Sequence, residues 1–331
     1  MHDTETLDPE RVHTSVLLQE TIHWLRPRSG GRYLDGTLGM GGHSRAILDA
    51  AARTGEKGAE LLGLDRDEQA LELAEQRLAV HGERAHLYHL AFSRFEDALD
   101  ALGWEGVDGA VLDLGVSSLQ LDHPERGFSF MESGPLDMRM DPGSGLPPAR
   151  TLVNKGSYSD LKRILLMYGE EPQAGRIVKA ILQAREEAEI DDTLTLARIV
   201  ENAYPAKWRA KSRTHPATRT FQALRIAVNK ELEELEMFLK RIAERLNPGG
   251  RVCVISFHSL EDRAVKHAFL RAAKGCVCPP RQPLCTCERV PTLKVLTKKP
   301  LGPTEEEAET NPRSRSAKLR VAERLAPGGS A

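Results

Sequence analysis

Four places in the chain carry residues able to hold a nucleoside: the glycine-rich run Gly36-Thr-Leu-Gly39-Met-Gly41-Gly42-His43, then Asp65, Phe92 and Asp113. Gly41 and Gly42 lack a Cβ, so backbone there can approach a ligand closely, and the amides at a following helix start favour negative charge. Asp65 is placed to accept hydrogen bonds from two ribose hydroxyls, Phe92 to flank a base, and Asp113 to close the pocket floor. Each acid or aromatic also has an ordinary structural reading: Asp65 as a helix cap, Phe92 as a core aromatic, Asp113 as a loop cap. Their recurrence at successive strand ends favours the ligand.

The elements that must position these residues follow from the apolar pattern. A strand Arg32–Asp35 leads through the glycine turn into a helix for which Ser44 is a suitable N-cap. A second strand, Glu60–Leu64, ends on Asp65 and precedes a helix with Ala70, Leu71, Ala74 and Leu78 at helical spacing. A third, Ala85–Leu90, leads to Phe92, and a fourth, Val107–Leu112, ends on Asp113. Strands alternating with helices build a parallel sheet, and ligands of such sheets lie beyond the carboxyl ends of the strands.

The alternation then stops. From about Leu121 to His215 the chain reads as loops and helices, with Leu161, Ile164, Leu165 and Tyr168, then Ile177, Val178, Ile181 and Leu182, at helical spacing. One long helix follows, striped by Leu224, Val228, Leu232, Leu235, Leu239, Ile242 and Leu246 and closed by Asn247-Pro-Gly-Gly250. The strand Arg251–Ser256 resumes the sheet, which finishes in Leu293–Thr297 and Lys318–Glu323. The expected architecture is α/β and Rossmann-like, with residues 1–120 and 216–331 forming the sheet domain and 121–215 an inserted helical domain that recognises substrate.

A chain of 331 residues, 40% apolar and 28% charged, buries a full core. It shows neither a signal peptide nor a bilayer-length apolar run, so the expected location is the cytoplasm, with no membrane partner. A formal net charge of −2 means that any nucleic acid must be held by local basic patches. Two are present: Lys207, Arg209, Lys211, Arg213, His215, Arg219 and Arg225, and later Arg313, Arg315, Lys318, Arg320 and Arg324.

The glycine spacing departs from G-x-G-x-x-G. A dinucleotide dehydrogenase would use an acid like Asp65, but its pyrophosphate prefers that fingerprint. S-adenosylmethionine has no phosphates, and a looser loop suits it better.

At this point the chain resembles a specific family, the bacterial small-subunit ribosomal RNA methyltransferases H. The matching strings run nearly end to end: His13-Thr-Ser-Val-Leu-Leu18, Asp35-Gly-Thr-Leu-Gly-Met-Gly-Gly-His-Ser44, Asp113-Leu-Gly-Val-Ser-Ser118, Gln120-Leu-Asp122 and Arg126-Gly-Phe-Ser-Phe130. They continue through Gly134-Pro-Leu-Asp-Met-Arg-Met140, His215-Pro-Ala-Thr-Arg-Thr-Phe-Gln-Ala-Leu-Arg225, Ser256-Phe-His-Ser-Leu-Glu-Asp-Arg263 and Asn311-Pro-Arg-Ser-Arg-Ser-Ala-Lys-Leu-Arg320. The resemblance implies a class I S-adenosylmethionine-dependent methyltransferase fold with an inserted helical domain. It implies methylation of the exocyclic N4 amine of a cytidine in small-subunit RNA, within an assembled or nearly assembled subunit, and no DNA partner. The cofactor contacts it carries over are Gly41, Gly42, His43, Asp65, Phe92, Asp113 and Gln120, of which His43 and Gln120 come from the family alone.

Amino-methyltransferases of other families often place Asp/Asn-Pro-Pro-Tyr after the fourth strand, where this chain has Asp113-Leu-Gly-Val-Ser-Ser118. Asp113 is the first candidate to receive the amine proton. Lys207, Arg209, Lys211, Arg213 and His258 are the candidate RNA contacts, His258 having a packed partner of Glu261 or Asp262 as its alternative. A DNA cytosine-N4 methyltransferase would share the pocket but accept duplex DNA, and a noncatalytic RNA-binding assembly factor would keep the basic runs without needing Asp65. No metal is expected for catalysis. Cys276, Cys278, Cys285 and Cys287 form two C-x-C pairs that either bind a structural zinc or remain thiols, while Cys253 reads as a core residue.

The basic run generates a test. If Lys207, Arg209, Lys211 and Arg213 contact phosphates, replacing all four by alanine lowers the slope of log affinity for RNA against log salt by roughly one per lost contact. Cofactor affinity stays unchanged. RNA binding across a salt series measures this, and equal slopes would return the run to a solvated face.

Overall fold

The computed structural model describes residues 15–209, 214–275, 278, 287 and 289–326. The chain divides into two compact units, one comprising residues up to Gly115 together with those from Leu232 onward, the other Val116–Glu231. The first unit is built on a seven-stranded sheet: β1 Arg32–Asp35, β2 Glu60–Asp65, β3 Ala85–His89, β4 Val107–Asp113, β5 Leu246–Ser256, β6 Leu293–Val295 and β7 Lys318–Arg324. The order across it is β3-β2-β1-β4-β5-β7-β6. The first five strands are mutually parallel, and β7 enters antiparallel between β5 and β6. A mostly parallel sheet of this order, with helical crossovers, is the class I methyltransferase architecture that the family resemblance implied.

The central strands are buried on both faces because their residues are apolar on both. Val252, Cys253, Val254 and Ile255 of β5 are all inaccessible or nearly so, as expected for a strand covered by helices on each side. Cys253 is a core residue, as expected. One apolar layer collects Leu34, Leu62, Phe95, Leu112, Phe238 and Ile242, and the opposite layer Tyr33, Leu48, Leu61, Val111, Ile255 and Val321.

The second unit packs five substantial helices, Ala149–Lys155, Tyr158–Gly169, Ala174–Glu187, Thr193–Ala203 and Thr218–Asn229, around its own core of Leu161, Leu165, Ile177, Val178, Ile181 and Leu224 among others. Tyr168 and Leu182, expected on the same stripes, are only partly buried. Among the described residues this unit adds no strand to the sheet.

Three local expectations are corrected. The expected single helix Leu224 to Leu246 is two helices, Thr218–Asn229 and Glu231–Arg245, separated by Lys230 in the left-handed region at φ 53°, and Leu246 already begins β5. The stripe is continuous in sequence but serves two cores, Leu224 and Val228 entering the insertion's and Leu235 and Ile242 the sheet's. The insertion therefore extends beyond the expected 121–215 to 116–231. Asn247-Pro-Gly-Gly250 does not simply close a helix: it lies within β5, at an irregularity in its pairing with β4, with Gly249 at φ 78°. Finally, Ser44 does not cap its helix, which starts at Gly42 with Gly41 as the N-cap.

The break after Asn229 is secured by Asn229 itself, which is 2% exposed. Its Oδ1 accepts from the Met140 amide at 2.8 Å, and its Nδ2 donates to the Met138 carbonyl at 2.7 Å and to Arg225 at 2.9 Å. Met138 adopts positive φ of 63°, so the amide clamps a segment held away from its preferred backbone. Asn229→Ala is expected to strand buried backbone groups, each costing roughly 1–3 kcal/mol, and to destabilise the protein by about 2–4 kcal/mol in denaturant titration. A loss below about 0.5 kcal/mol would mean that the clamp is replaced by water.

Candidate cofactor pocket

Parallel strands end together, and the polar groups at their carboxyl ends have no further ladder to join. At this edge the chain places Asp35 on β1, Asp65 on β2 and Asp113 on β4. The glycine loop crosses between them. Gly36 N–H donates to Val111 O at 3.0 Å and Leu38 N–H to Leu64 O at 2.9 Å, so the loop is sewn to β4 and β2. Gly36 fits only as glycine, since a Cβ would overlap the Leu112 side chain. Gly41 takes φ 76°, and a Cβ on Gly42 would collide with the Ser15 hydroxyl. Gly41 is favoured by its left-handed backbone and Gly42 by the close approach of Ser15.

Asp65 braces this loop. Its Oδ2 accepts from Gly39 N–H at 2.7 Å and its Oδ1 from Asp67 N–H at 2.9 Å. Each carboxylate oxygen retains acceptor capacity for a hydroxyl. Burial raises the Asp65 carboxyl above its ordinary range, while the amide donors oppose the rise.

Asp35 is 1% exposed, accepting from the Ser44 hydroxyl at 2.7 Å and the Thr37 amide at 3.2 Å. Burial pushes its carboxyl up to about 6 despite these donors. Ser44, read from sequence as a cap, instead fastens its helix to the end of β1.

Asp113 has a different environment. Its amide donates to Thr37 Oγ1 at 2.6 Å, but its carboxyl Oδ1 is buried without a hydrogen-bond partner. Burial, then the charges of Asp35, Glu261 and Glu307, raise this carboxyl well above the usual range. An orphaned, electron-rich oxygen among three other acids is a place for a cation. His43, 5% exposed, sets its Nε2 3.1 Å from Val16 O and its Nδ1 3.8 Å from Asp113 Oδ2. Phe92 is half-buried, its ring 5.9 Å from that of Phe238 in an edge-to-face contact, so its core and pocket readings are compatible.

These groups fit S-adenosylmethionine. Asp65 would hold the ribose, Phe92 would flank the base, and Asp113 would face positive charge. The helix start at Gly42 suits a carboxylate, the Gly41 N–H being already given to Leu38 O at 2.8 Å.

Other sequence candidates are placed elsewhere. Gln120 belongs to the Val116–Glu231 unit, where it completes a capping box with Ser117, the two exchanging bonds of 3.1 and 3.2 Å. His258, expected as an RNA contact, caps the helix Ser259–Ala273 and lies 3.1 Å from Glu261 Oε1. Its side chain is engaged in the packed alternative rather than offered to a phosphate. In the first basic run Lys207 and Arg209 are exposed, whereas Arg225 is committed to Glu231 through two bonds of 2.8 Å and Arg219 to the Glu170 carbonyl. Lys211 and Arg213 lie outside the described residues, as do Cys276 and Cys285. The second basic run is largely structural: Arg320 pairs with Asp262 at 2.6 Å, Lys318 lies 3.7 Å from the same acid, and Arg315 donates to Ala308 O.

The structure adds residues that the sequence reading left out. Thr37 was part of the motif but had no assigned role. Trp208, between Lys207 and Arg209, is 51% exposed, and the aromatic-between-cations pattern was its available signal. Glu307 accepts from Leu17 N–H at 2.7 Å across 290 positions, a separation no local pattern reveals.

The chain matches the model of the MraW methylase family over residues 10–325. It is 68% identical over 327 residues to the ribosomal RNA small subunit methyltransferase H of Maridesulfovibrio salexigens, covering 99% of this chain and 100% of that one. It is 58% identical to the protein of that name from Oleidesulfovibrio alaskensis, covering 95% of each chain. With that from Nitratidesulfovibrio vulgaris it shares 57% identity, over 98% of this chain and 99% of the other.

Asp65→Ala should weaken S-adenosylmethionine binding by roughly 1.5–3 kcal/mol, the range for a hydrogen bond to a charged group. Asp65→Asn should lose less, because one acceptor remains for Gly39. Calorimetric titration of the folded variants measures both, and unchanged affinity in the alanine variant would make Asp65 a brace of the loop alone.

Proposed function

The chain belongs to the MraW methylase family, and from that premise we propose that it methylates the exocyclic N4 amine of a cytidine in the RNA of an assembled or nearly assembled small ribosomal subunit. It is an S-adenosylmethionine-dependent ribosomal RNA methyltransferase. The observation that carries the finer reading is Asp113, whose carboxyl ends β4 with one buried oxygen lacking a partner. Such an oxygen suits an amine that must give up a proton.

The cytosine amine is conjugated with its ring and is a poor nucleophile. The sulfonium supplies the driving force when bound. What remains for the protein is alignment, proton acceptance and exclusion of water. Asp65 and the glycine loop fix the nucleoside end, which sets where the methyl group must lie. Asp113, as acceptor for an amine N–H, directs the nitrogen lone pair away from the ring plane and receives the proton later. Its raised affinity for a proton serves the second role; nearby positive charge keeps it ionised for the first.

RNA must present an unstacked base. Trp208, exposed and flanked in sequence by the exposed Lys207 and Arg209, supplies an aromatic ring for stacking a base and nearby cations for phosphates. Among the described residues no helix is long and apolar enough to cross a membrane.

Labelled methyl transfer to small subunits lacking the modification, to protein-free small-subunit RNA and to duplex DNA tests the proposal. Label should enter the subunits, in a nucleoside that co-migrates with N4-methylcytidine after digestion. Label in DNA would favour a DNA methyltransferase, and none in any acceptor, with RNA still bound, would favour an assembly factor.

A further inference from the structure

Asp113 and His43 face one another at the carboxyl edge of the sheet, with Asp113 Oδ2 3.8 Å from His43 Nδ1. The second ring nitrogen, Nε2, is 3.1 Å from Val16 O. A carbonyl oxygen only accepts, so Nε2 carries a proton, and any second proton taken up by the ring sits on Nδ1, toward the carboxyl. The ring's anchor is itself fastened. Val16 precedes Leu17, which adopts left-handed backbone at φ 51° and donates its N–H to Glu307 Oε1 at 2.7 Å. Glu307 thus fixes the turn that presents the Val16 carbonyl, and that carbonyl orients the imidazole toward Asp113.

We propose that His43 is the second member of a proton-accepting pair, receiving through Asp113 the proton that the target amine loses on methylation. The proposal rests on the methyltransferase reading above. As the new N–C bond forms and the methyl's bond to sulfur breaks, the amine nitrogen becomes cationic with one proton in excess. That proton passes to the Asp113 carboxylate, and the carboxyl passes a proton to His43 Nδ1. The result is an imidazolium between the Val16 carbonyl and a restored carboxylate. The proton returns by the same route to solvent at the half-buried edge of Asp113, and no electrons are gained or lost.

The surroundings favour a second member. Asp113 is faced by Asp35 on β1, Glu261 on the helix Ser259–Ala273 and Glu307 on the helix Glu305–Thr310, as well as by His43 on the helix Gly42–Ala52. Burial and these acids hold its proton tightly. The imidazole gives the proton received from the amine a second resting place, and the three acids favour the cation that results.

Two measurements decide. In the cofactor-free protein, nitrogen NMR of labelled histidine follows the His43 ring from about pH 5 to 9, the range in which imidazoles titrate, in wild type and in Asp113→Asn. The midpoint should fall in the variant, because the carboxylate that supports the imidazolium is gone; an identical midpoint overturns the pair. The other measurement is single-turnover methyl transfer to small ribosomal subunits at saturating cofactor. His43→Asn should slow it about 100-fold, within the range of acid–base contributions, with the loss shrinking as pH falls and the wild-type imidazole becomes protonated. Unslowed transfer with cofactor affinity lost would overturn the proposal and leave His43 a cofactor contact. If wild type transfers no methyl to subunits, the methyltransferase reading fails, while the NMR comparison still decides whether the pair shares a proton. That comparison also stands if His43→Asn does not fold.

Discussion

The two bonds accepted by Asp65, from Gly39 N–H at 2.7 Å and Asp67 N–H at 2.9 Å, are the constraint on which the pocket depends. A glycine-rich loop costs more backbone entropy to order than any other segment of its length. Here a single half-buried carboxylate ties it to the next strand and also starts the turn into the following helix. The loop is therefore ordered by the group proposed to meet the ribose, and ligand binding need not supply that ordering. The cost is electrostatic: three aspartates at adjacent strand ends are raised in pKa by burial, a concentration of destabilised charge that marks a functional site.

The sheet was legible because its signals are local. Strands β2, β4 and the second half of β5 are apolar runs that end on or near a polar residue, and helical-period segments separate the strands. The helix break at Lys230 was not legible, since Leu224 to Leu246 keeps one period throughout. Its cause lies in the side chain of Asn229 reaching Met138 and Met140, far away in sequence. Periodicity reports that a face is buried and is silent about what buries it. The same limit explains Ser44, whose type suits a cap but whose hydroxyl found the Asp35 carboxylate instead.

In the site, Gly41, Gly42, Asp65 and Asp113 could be reached from residue type and position at strand ends. Charge was the poorer guide. Arg225, Arg320 and Lys318 belong to basic runs but lie beside the acids Glu231 and Asp262, and a run of cations in sequence does not reveal which of them an acid has already claimed. Lys207 and Arg209, on a short exposed helix with Trp208, differ because no such acid pairs with them in the described structure.

The antiparallel placement of β7 has a consequence for synthesis. Strand β5, apolar on both faces, needs β7 on one side, and β7 emerges only after the helix Ser259–Ala273, β6 and the helix Glu305–Thr310. At about 5–20 residues per second, that edge of β5 stays open for several seconds on the ribosome. An open edge on a strand of Val, Cys, Val and Ile is a template for pairing with another chain. Arg251, at the start of that apolar run and later paired with Glu323 on β7, is a charge that opposes such pairing while the sheet waits for its last strand.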